Sequence, residues 1–424
     1  MIALLAFLIA SAATADIVMI THGPPDVSLP HETTGNKPAR YGMGFPLQVS
    51  GTEAAIFCNL RAIGPGYSDY EDGTDLLVFD NLRALRTAKP FAVSRNQMLP
   101  DAATGEERLV VKFPMAGGFW PIGAKAADGS RHPGEGRGFG ICQALSFEVD
   151  SKGFFTWTKP FVRYVEVVQL GYDGAQFRVV KRELVGPSPL PAAGPAGWQL
   201  VTQGLTNAIP EGNDLLLPVL AQRDGKYKSG VCRWQWRNEQ WTAVSFVPIG
   251  LGSEPTLVRV ADRSLLFATR PGSEELSTVV VWRSVDAGKT WQEVVRQADV
   301  RSSSPVSISR TACGLPFIVT NLRGRKRTRL CFWTIDGASL VGPRLIRDCT
   351  QEFGPRPKET FWVVDHPSSA TVRLADGQWH GLLAYRVKAY RLPTRGRPEP
   401  DVPQTGCYVE EILSSGSAVP EWQF

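Results

Sequence analysis

Two stretches of this chain repeat one pattern, and that pattern limits the fold more than any other feature of the sequence. Ser253–Arg270 and Pro367–Arg386 each contain an apolar strand, an acidic turn, a second apolar strand and a closing arginine. Two looser copies end at Arg61 and Arg323. Each copy predicts a β-hairpin that cannot bury both faces alone, so neighbouring hairpins must pack together.

The rest of the chain favours the same all-β fold. Short apolar or alternating runs are separated by turn segments, and no stretch of about 12 residues or more has helical periodicity. Radial stacking of such hairpins gives a β-propeller, and about 409 residues over six blades is about 68 residues per blade. We therefore predict an all-β, six-bladed β-propeller as a single domain over residues 16–424.

The N-terminus has the features of a signal peptide. Residues 1–15 are apolar and end in Ala13-Thr14-Ala15, which fits the small-x-small pattern of a cleavage site. The segment predicts a secreted or periplasmic protein whose mature chain begins at Asp16. The alternative is that these residues form a buried first strand. No other run of about 18 apolar residues occurs, so no membrane span is predicted.

Cysteine usage and charge bound the possible ligands. Seven cysteines are widely spaced, without a Cys-x-x-Cys pair or a Cys/His cluster, so neither a metal site nor another cofactor is predicted. We expect most of them to be small buried hydrophobes. The net charge of +5 is mild, and the basic runs are typical of solvated loops. We predict a monomer that binds no nucleic acid, while a small anionic ligand remains compatible with the charge.

Residues 284–291 match the pattern S-x-D-x-G-x-T-W throughout. Gly288 permits a tight turn, and Trp291 packs the hairpin into its sheet. Ser284, Asp286 and Thr290 supply side-chain hydrogen bonds to the turn backbone. This motif, an Asp-box, predicts a structural turn on the outer part of a blade and performs no chemistry.

Around this motif the chain resembles the sialidase (neuraminidase) family. The Glu254-Pro255 pair, the Asp262-Arg263 turn, Arg270 and the Asp-box follow one another in the order found in that family. Arg327, three residues before Leu330, fits the position of a further arginine of the family. The resemblance implies a six-bladed propeller and an exo-glycoside hydrolase acting on an anionic terminal sugar.

The resemblance also implies roles for particular residues. In sialidases three arginines hold the sugar carboxylate, a Glu activates a Tyr nucleophile, and an Asp acts as acid and base. Glu254, Arg270 and Arg327 match members of that set. Asp365-His366-Pro367 occupies the position of the Tyr, and Phe45 stands where the first arginine of the triad is expected.

The repeat predicts where a site lies. The first strand of an antiparallel hairpin begins beside the end of the second, so acidic residues that open two copies should lie beside the arginines that close them. Together they would form a basic basin on one propeller face, suited to a carboxylate or sulfate. The alternative is that each arginine pairs with a neighbouring carboxylate or caps a sheet edge. The residues expected on this face are Glu254, Asp365, His366, Arg61, Arg270, Arg323, Arg327 and Arg386.

Three further candidates are weighed against structural roles. His366, beside Asp365, has the chemistry of a general acid or base, or is a hydrogen-bonded structural histidine. Asp72 would supply a general acid from a loop, or belongs to a solvated turn. His132 and the glycine-rich segment 134–140 are expected in an inserted loop over the face that carries the site.

Two functions fit these observations. The first is an exported glycan-active enzyme that acts on an anionic saccharide or glycoconjugate carrying a sialic or uronic acid-type terminal sugar. The second is a non-catalytic propeller that binds glycan or protein. A catalytic site requires two carboxylates, or a carboxylate and a histidine, beside the arginines, whereas a binding module does not.

Overall fold

The chain folds as a ring of antiparallel sheets. The computed structural model describes residues 17–22, 39–62, 73–79, 87–101, 104–149, 155–157, 163–185, 197–272, 276–302, 304–311, 314–324, 327–356, 360–391 and 404–414. Nearly all regular structure in these segments is β-strand, arranged in six sheets that form the blades of a propeller. The predicted all-β, six-bladed fold is confirmed.

The first three blades have different numbers of strands. The first strand, β1 (Ile17–His22), belongs to the last blade, and blade 1 comprises β2 (Ala39–Gln48), β3 (Ala54–Ala62), β4 (Gly73–Phe79) and β5 (Thr87–Arg95). Blade 2 comprises β6 (Gln97–Pro100), β7 (Glu107–Lys112), β8 (Ala116–Trp120), β9 (Arg137–Val149), β10 (Phe155–Trp157), β11 (Arg163–Tyr172) and β12 (Phe177–Val185). Blade 3 comprises β13 (Gln199–Gln203), β14 (Ile209–Glu211), β15 (Asp214–Arg223), β16 (Lys226–Arg237) and β17 (Gln240–Gly250).

The last three blades have four strands each. Blade 4 comprises β18 (Ser253–Arg259), β19 (Leu265–Arg270), β20 (Val279–Ser284) and β21 (Gln292–Gln297). Blade 5 comprises β22 (Ser307–Arg310), β23 (Pro316–Asn321), β24 (Arg329–Asp336) and β25 (Ser339–Asp348), and the short helix α1 (Cys349–Phe353) follows it. Blade 6 comprises β26 (Thr360–Arg373), β27 (Trp379–Arg391), β28 (Gly406–Ser414) and β1. Within the described residues, no helix is long and apolar enough to cross a membrane.

Blade 6 closes the ring with strands from both ends of the described chain. The strand β1 pairs antiparallel with β28, from Ile17 opposite Ser414 to His22 opposite Val409. Around the axis, first strands of neighbouring blades contact each other, including β2 with β26, β18 with β22 and β22 with β26. These contacts place the inner strands of the blades around a common axis.

Apolar side chains fill the seams between blades. One cluster joins blades 1 and 6 and includes Ile56, Cys58, Leu382 and Cys407. The described cysteines are free thiols and all are buried, which agrees with their expected role as small hydrophobes; they are Cys58, Cys142, Cys232, Cys331, Cys349 and Cys407. Cys313 lies outside the described residues.

The hairpin registers define two faces. Ser253 pairs with Arg270 at one end of the β18–β19 hairpin, and Arg259 pairs with Leu265 at the other end. We name the end with Arg270 the upper face and the opposite end the lower face. Leu265 in turn pairs with Ser284 on β20, so the Asp-box turn lies on the lower face, away from Arg270.

The turn over residues 284–291 is held by its own side chains. The carboxylate of Asp286 accepts hydrogen bonds from the Thr290 N–H at 2.9 Å, the Thr290 hydroxyl at 2.6 Å and the Lys289 N–H at 3.1 Å. The Ser284 hydroxyl oxygen accepts from the Gly288 N–H at 2.9 Å, and the Trp291 indole donates to the Gly288 carbonyl at 3.1 Å. The turn therefore satisfies its backbone groups locally, as its residue types predict.

We predict that Asp286→Ala lowers the melting temperature while leaving the upper face unchanged, because the Thr290 and Lys289 N–H groups lose their acceptor. Hydrogen bonds from Thr290 and Ser284 lower the pKa of Asp286 to about 2. Its stabilising contribution is therefore present above the usual Asp pKa of about 4 and is lost as the pH falls towards 2. Thermal melts at several pH values test this; Asp286→Asn, which keeps one acceptor oxygen, is the matched control. Equal melting temperatures for Asp286→Ala and the wild type would contradict it.

Candidate functional site

The same backbone bulge opens the first strands of blades 4 and 6. Ser253 pairs with Arg270 and Thr256 pairs with Ala268, so Glu254 and Pro255 together oppose a single residue. In blade 6 the pairing of Asp365 and Ser368 leaves His366 and Pro367 in the same arrangement. Such two-for-one bulges re-aim side chains at the ends of strands, often beside active sites.

Three candidate site residues have strained backbones. Glu254, His366 and Arg327 have positive φ angles of 51°, 54° and 60°. This region is uncommon for residues other than glycine and costs about 1–3 kcal/mol per residue, so it persists only where the surroundings enforce it. Strain at three positions in one area is typical of a functional site.

Glu254 lies between an arginine and a histidine. Its Oε2 accepts a hydrogen bond from Arg270 Nη1 at 3.0 Å, and its Oε1 lies 3.7 Å from His366 Nε2. Burial raises the pKa of Glu254, but the interaction with the nearby His366 and the charge of Arg270 outweigh it and lower the pKa to about 2. Glu254 is therefore ionised at neutral pH. About a quarter of its side chain (26%) remains exposed, so a ligand can reach it.

Asp365 is the buried centre of the cluster. Its side chain is fully buried, with Oδ1 at 3.0 Å from Arg386 Nε and Oδ2 at 3.0 Å from Arg327 Nη1. Burial alone would raise the pKa of Asp365, but the neighbouring Arg386, His366 and Lys388 hold it well below its usual range. The carboxylate therefore stays negative and fixes the cationic groups around it.

His366 is held on one side and faces Glu254 on the other. Its Nδ1 lies 2.9 Å from Asp365 Oδ1 and 3.1 Å from Arg386 Nη2. With Nδ1 facing the Asp365–Arg386 ion pair, Nε2 is the ring nitrogen that can exchange a proton with a ligand. A carboxylate on one ring nitrogen is the usual means of orienting a histidine for proton transfer.

Arg301 lies near Arg270, Glu254 and Arg327, although the sequence analysis did not identify it as a candidate. Its side chain is fully buried, and it donates to the carbonyls of Thr278, Ser302 and Ser304 at 3.0, 2.7 and 2.6 Å. Burial lowers its pKa to about 10, with a further contribution from the like charge of Arg270. The Ser304-Pro305 pair near it matches the two Xaa-Pro pairs that open blades 4 and 6, and this pattern is the signal that could have found it.

We call the residues just described the upper-face cluster. Its charged and titratable members are Glu254, Arg270, Arg301, Arg327, Asp365, His366 and Arg386. Their contacts form a continuous chain from Arg270 through Glu254, His366 and Asp365 to Arg327 and Arg386. Such a chain can hold an anionic group at its arginines and move a proton at His366.

Two residues that were expected in the cluster have side chains outside the described part of the structure. Arg61 lies on the described backbone of β3, opposite Arg40, but its side chain is outside the described part of the structure. Asp72 lies outside the described residues altogether.

Arg323 lies apart from the cluster. It forms an ion pair with Asp299, and half of its side chain (54%) is exposed. The physical reason is that β23 ends at Asn321, two residues earlier, and the turn that follows carries Arg323 outward. Asn321 takes the inward position and donates to the Val364 carbonyl at 2.7 Å.

The glycine-rich loop lies on the lower face, not over the site as expected. The strand β8 runs towards the lower face and ends at Trp120, so the following segment emerges there. The His132 ring is buried and stacks on Trp120 with centroids 4.0 Å apart. Its Nδ1 accepts from the Gly134 N–H at 3.0 Å, which gives it a structural role. Phe45, at the position of a family arginine, is buried in the core.

We predict that Arg386→Leu destabilises the protein by about 3 kcal/mol, because it removes a cation from a buried carboxylate. The double variant Asp365→Asn/Arg386→Leu removes both charges and should lose less than the sum of the two single variants. Chemical denaturation measures both effects. Additive losses would show that the two side chains are not energetically coupled.

The comparisons with known proteins concern the fold. No protein-family model matches this sequence, and no curated protein matches it. The structure is similar to the Trypanosoma rangeli sialidase in complex with the inhibitor DANA, with a TM-score of 0.57, 14% identity and coverage of 94% of this chain and 59% of that chain. The same sialidase in complex with sialic acid gives a TM-score of 0.53 at 14% identity, with coverage of 94% and 59%. A Penicillium chrysogenum α-L-arabinanase gives 0.45 at 11% identity, with coverage of 94% and 97%.

The chain thus spans less than two thirds of the length of the trypanosomal sialidase. At this level of identity, the likeness establishes the fold and not the activity. The chain has the sialidase-like six-bladed β-propeller fold.

Proposed function

We propose that this protein is an exported glycoside hydrolase acting on a terminal sugar that carries a sialic or uronic acid-type carboxylate. The observation that carries the proposal is the carboxylate–imidazole pair of Glu254 and His366, with 3.7 Å between Oε1 and Nε2, beside Arg270. The trypanosomal sialidase of the same fold is described in complex with sialic acid, which supports the substrate class.

The charge of the upper-face cluster favours an anionic ligand. Two carboxylates, Glu254 and Asp365, face four arginines, and the buried Lys388 adds a further positive charge beside Asp365. The surplus is positive in a poorly solvated setting, where a charge acts more strongly than in water. Guanidinium groups match the planar geometry of a carboxylate and can bind it bidentately.

The negative charge of the proposed substrate also explains why a histidine, and not a second carboxylate, faces the reacting carbon. A substrate carboxylate beside the reacting carbon repels an anionic nucleophile or base, whereas a neutral imidazole avoids this repulsion. In the proposed site Asp365 orients the ring, and Nε2 takes a proton from an attacking water, whose oxygen becomes the new hydroxyl of the sugar. The ionised Glu254 stabilises positive charge on the sugar ring as the glycosidic bond breaks, and the leaving oxygen takes a proton from solvent.

Export and assembly state belong to the same proposal. Residues 1–15 would be removed as a signal peptide, and cleavage after Ala15 would leave β1, which begins at Ile17, intact. We propose a secreted or periplasmic monomer.

A non-catalytic glycan-binding propeller is the second candidate, and one observation favours it. The pKa values of Glu254 and Asp365 are both lowered, so neither carboxyl group of the upper-face cluster is a proton donor at neutral pH. A binding module would use the same arginines without needing a general acid.

We predict that the purified protein hydrolyses sialosides or uronides when it is screened on sialosides, uronides and sulfated glycans. Glu254→Gln and His366→Gln should lower kcat by about 100-fold or more, the usual contribution of general acid–base catalysis. Arg270→Ala should mainly raise KM. Arg296→Ala is the control, because this exposed arginine pairs with Glu293 on blade 4 and is remote from the site.

The alternative outcomes are distinct. Glycan binding that depends on Arg270 and weakens steeply with salt, without turnover, would replace the hydrolase by the binding module. If the protein neither hydrolyses nor binds any acidic glycan, both functions are overturned.

A further inference from the structure

A cavity lies at the lower end of the central axis, on the face opposite the upper-face cluster. It has a volume of about 1030 Å³, within the range that holds small ligands. Every blade contributes the last residue of a strand that ends at the lower face; these residues are Gln48, Trp120, Glu211, Arg259, Arg310 and Arg373. We call this space the lower cavity.

The lining of the lower cavity is strongly basic. Five basic residues face a single acidic one, Glu211. Arg259 forms an ion pair with Glu211, and this pair is neutral overall. The remaining cations are contributed by blades 2, 4, 5 and 6, so they surround the cavity; they are Lys125, Arg263, Arg310 and Arg373. No second carboxylate lines the described wall, so the cavity concentrates positive potential.

One wall of the cavity is a preformed loop. Residues 121–136 bridge three blades, since the Ile122 N–H donates to the Val49 carbonyl of blade 1 at 3.1 Å, and the Ala127 N–H donates to Asn213 Oδ1 of blade 3 at 2.9 Å. The His132–Trp120 stack anchors the loop from within. A wall fixed in advance reduces the entropy lost when a ligand binds.

The basic side chains are also positioned. Arg310 Nε donates to the Thr371 hydroxyl at 2.8 Å, and Arg373 Nε donates to the Gly377 carbonyl at 2.9 Å. Trp379 adds a partly exposed aromatic ring to the lining, and Ser369 and Thr371 add hydroxyl groups. Cations around a cavity, hydrogen-bonding hydroxyls and an aromatic surface together suit a sugar chain that carries several anionic groups.

We propose that the lower cavity is a second binding site, for an acidic oligosaccharide with two or more sulfate or carboxylate groups. The site is independent of the proposed function. Glu254 and Arg259 lie near opposite ends of β18, about 17 Å apart along the strand, so one bound sugar residue cannot contact both sites.

The test is calorimetric titration of the full protein with a trisulfated heparin-type disaccharide, with inorganic pyrophosphate as a second probe. Arg263→Gln/Arg373→Gln should weaken disaccharide binding at least tenfold, and Trp379→Leu should weaken it without changing pyrophosphate binding. Arg263 and Arg373 are exposed, so the double variant should fold, and its melting temperature checks this. Arg283→Gln is the matched control, because Arg283 pairs with Asp262 near the same face and does not line the cavity.

Three outcomes would overturn the site. The first is loss of disaccharide binding in Arg270→Ala but not in the double variant, which would place the ligand on the upper face. The second is equal affinity for pyrophosphate and the disaccharide, which would remove the saccharide assignment. The third is no binding of the disaccharide. Binding that survives Arg270→Ala supports the lower cavity even if no hydrolase activity is found.

Discussion

The pairing of β1 with β28 is the constraint on which the ring depends. A ring of sheets made from one chain has to join its first blade to its last, and a blade that takes strands from both ends of the described chain makes that join. Here residues 17–22 pair with residues 406–414 and complete the sheet of blade 6, so the first and last parts of the described chain share one blade. Closure in this way fixes the blade 1–blade 6 seam, and with it the position of Asp365 and His366 relative to the other blades.

The upper-face cluster shows how such a frame supports an otherwise costly arrangement. Asp365 is buried as an anion, and desolvation alone would disfavour it by several kcal/mol. Two arginines and a histidine from different loops and strands offset that cost, and the left-handed backbones of Glu254 and His366 set their side chains in place. The protein thus loses some stability in order to hold these charges in fixed positions. Such strain is typical of sites prepared for a ligand.

The sequence predicted what local patterning encodes. Hairpin repeats and turn residues depend on neighbours a few positions apart, so the β-fold and the contact between Arg270 and Glu254 could be expected. Contacts between blades could not be read in this way. Arg301 reaches the cluster from the segment between blades 4 and 5, and Arg323 misses it because the strand ends two residues early. The loop after Trp120 was predicted over the site but lies on the lower face. The strand of blade 2 that pairs with β9 is broken into β7 and β8, so the direction in which the chain leaves β8 could not be predicted from the sequence.

The bulges at Glu254-Pro255 and His366-Pro367 have a consequence for how this protein can diversify. Blade 1 has the same two-for-one arrangement at Gly42 and Met43. A bulged residue lies outside the ladder of paired positions, so its identity can change while the register on either side is kept. Corresponding positions on the upper face thus act as variable sites on a constant frame. Substitutions at these positions would change the chemistry of the upper face while the strands keep their register. A small combinatorial library over these positions would test which reactivities the frame can support.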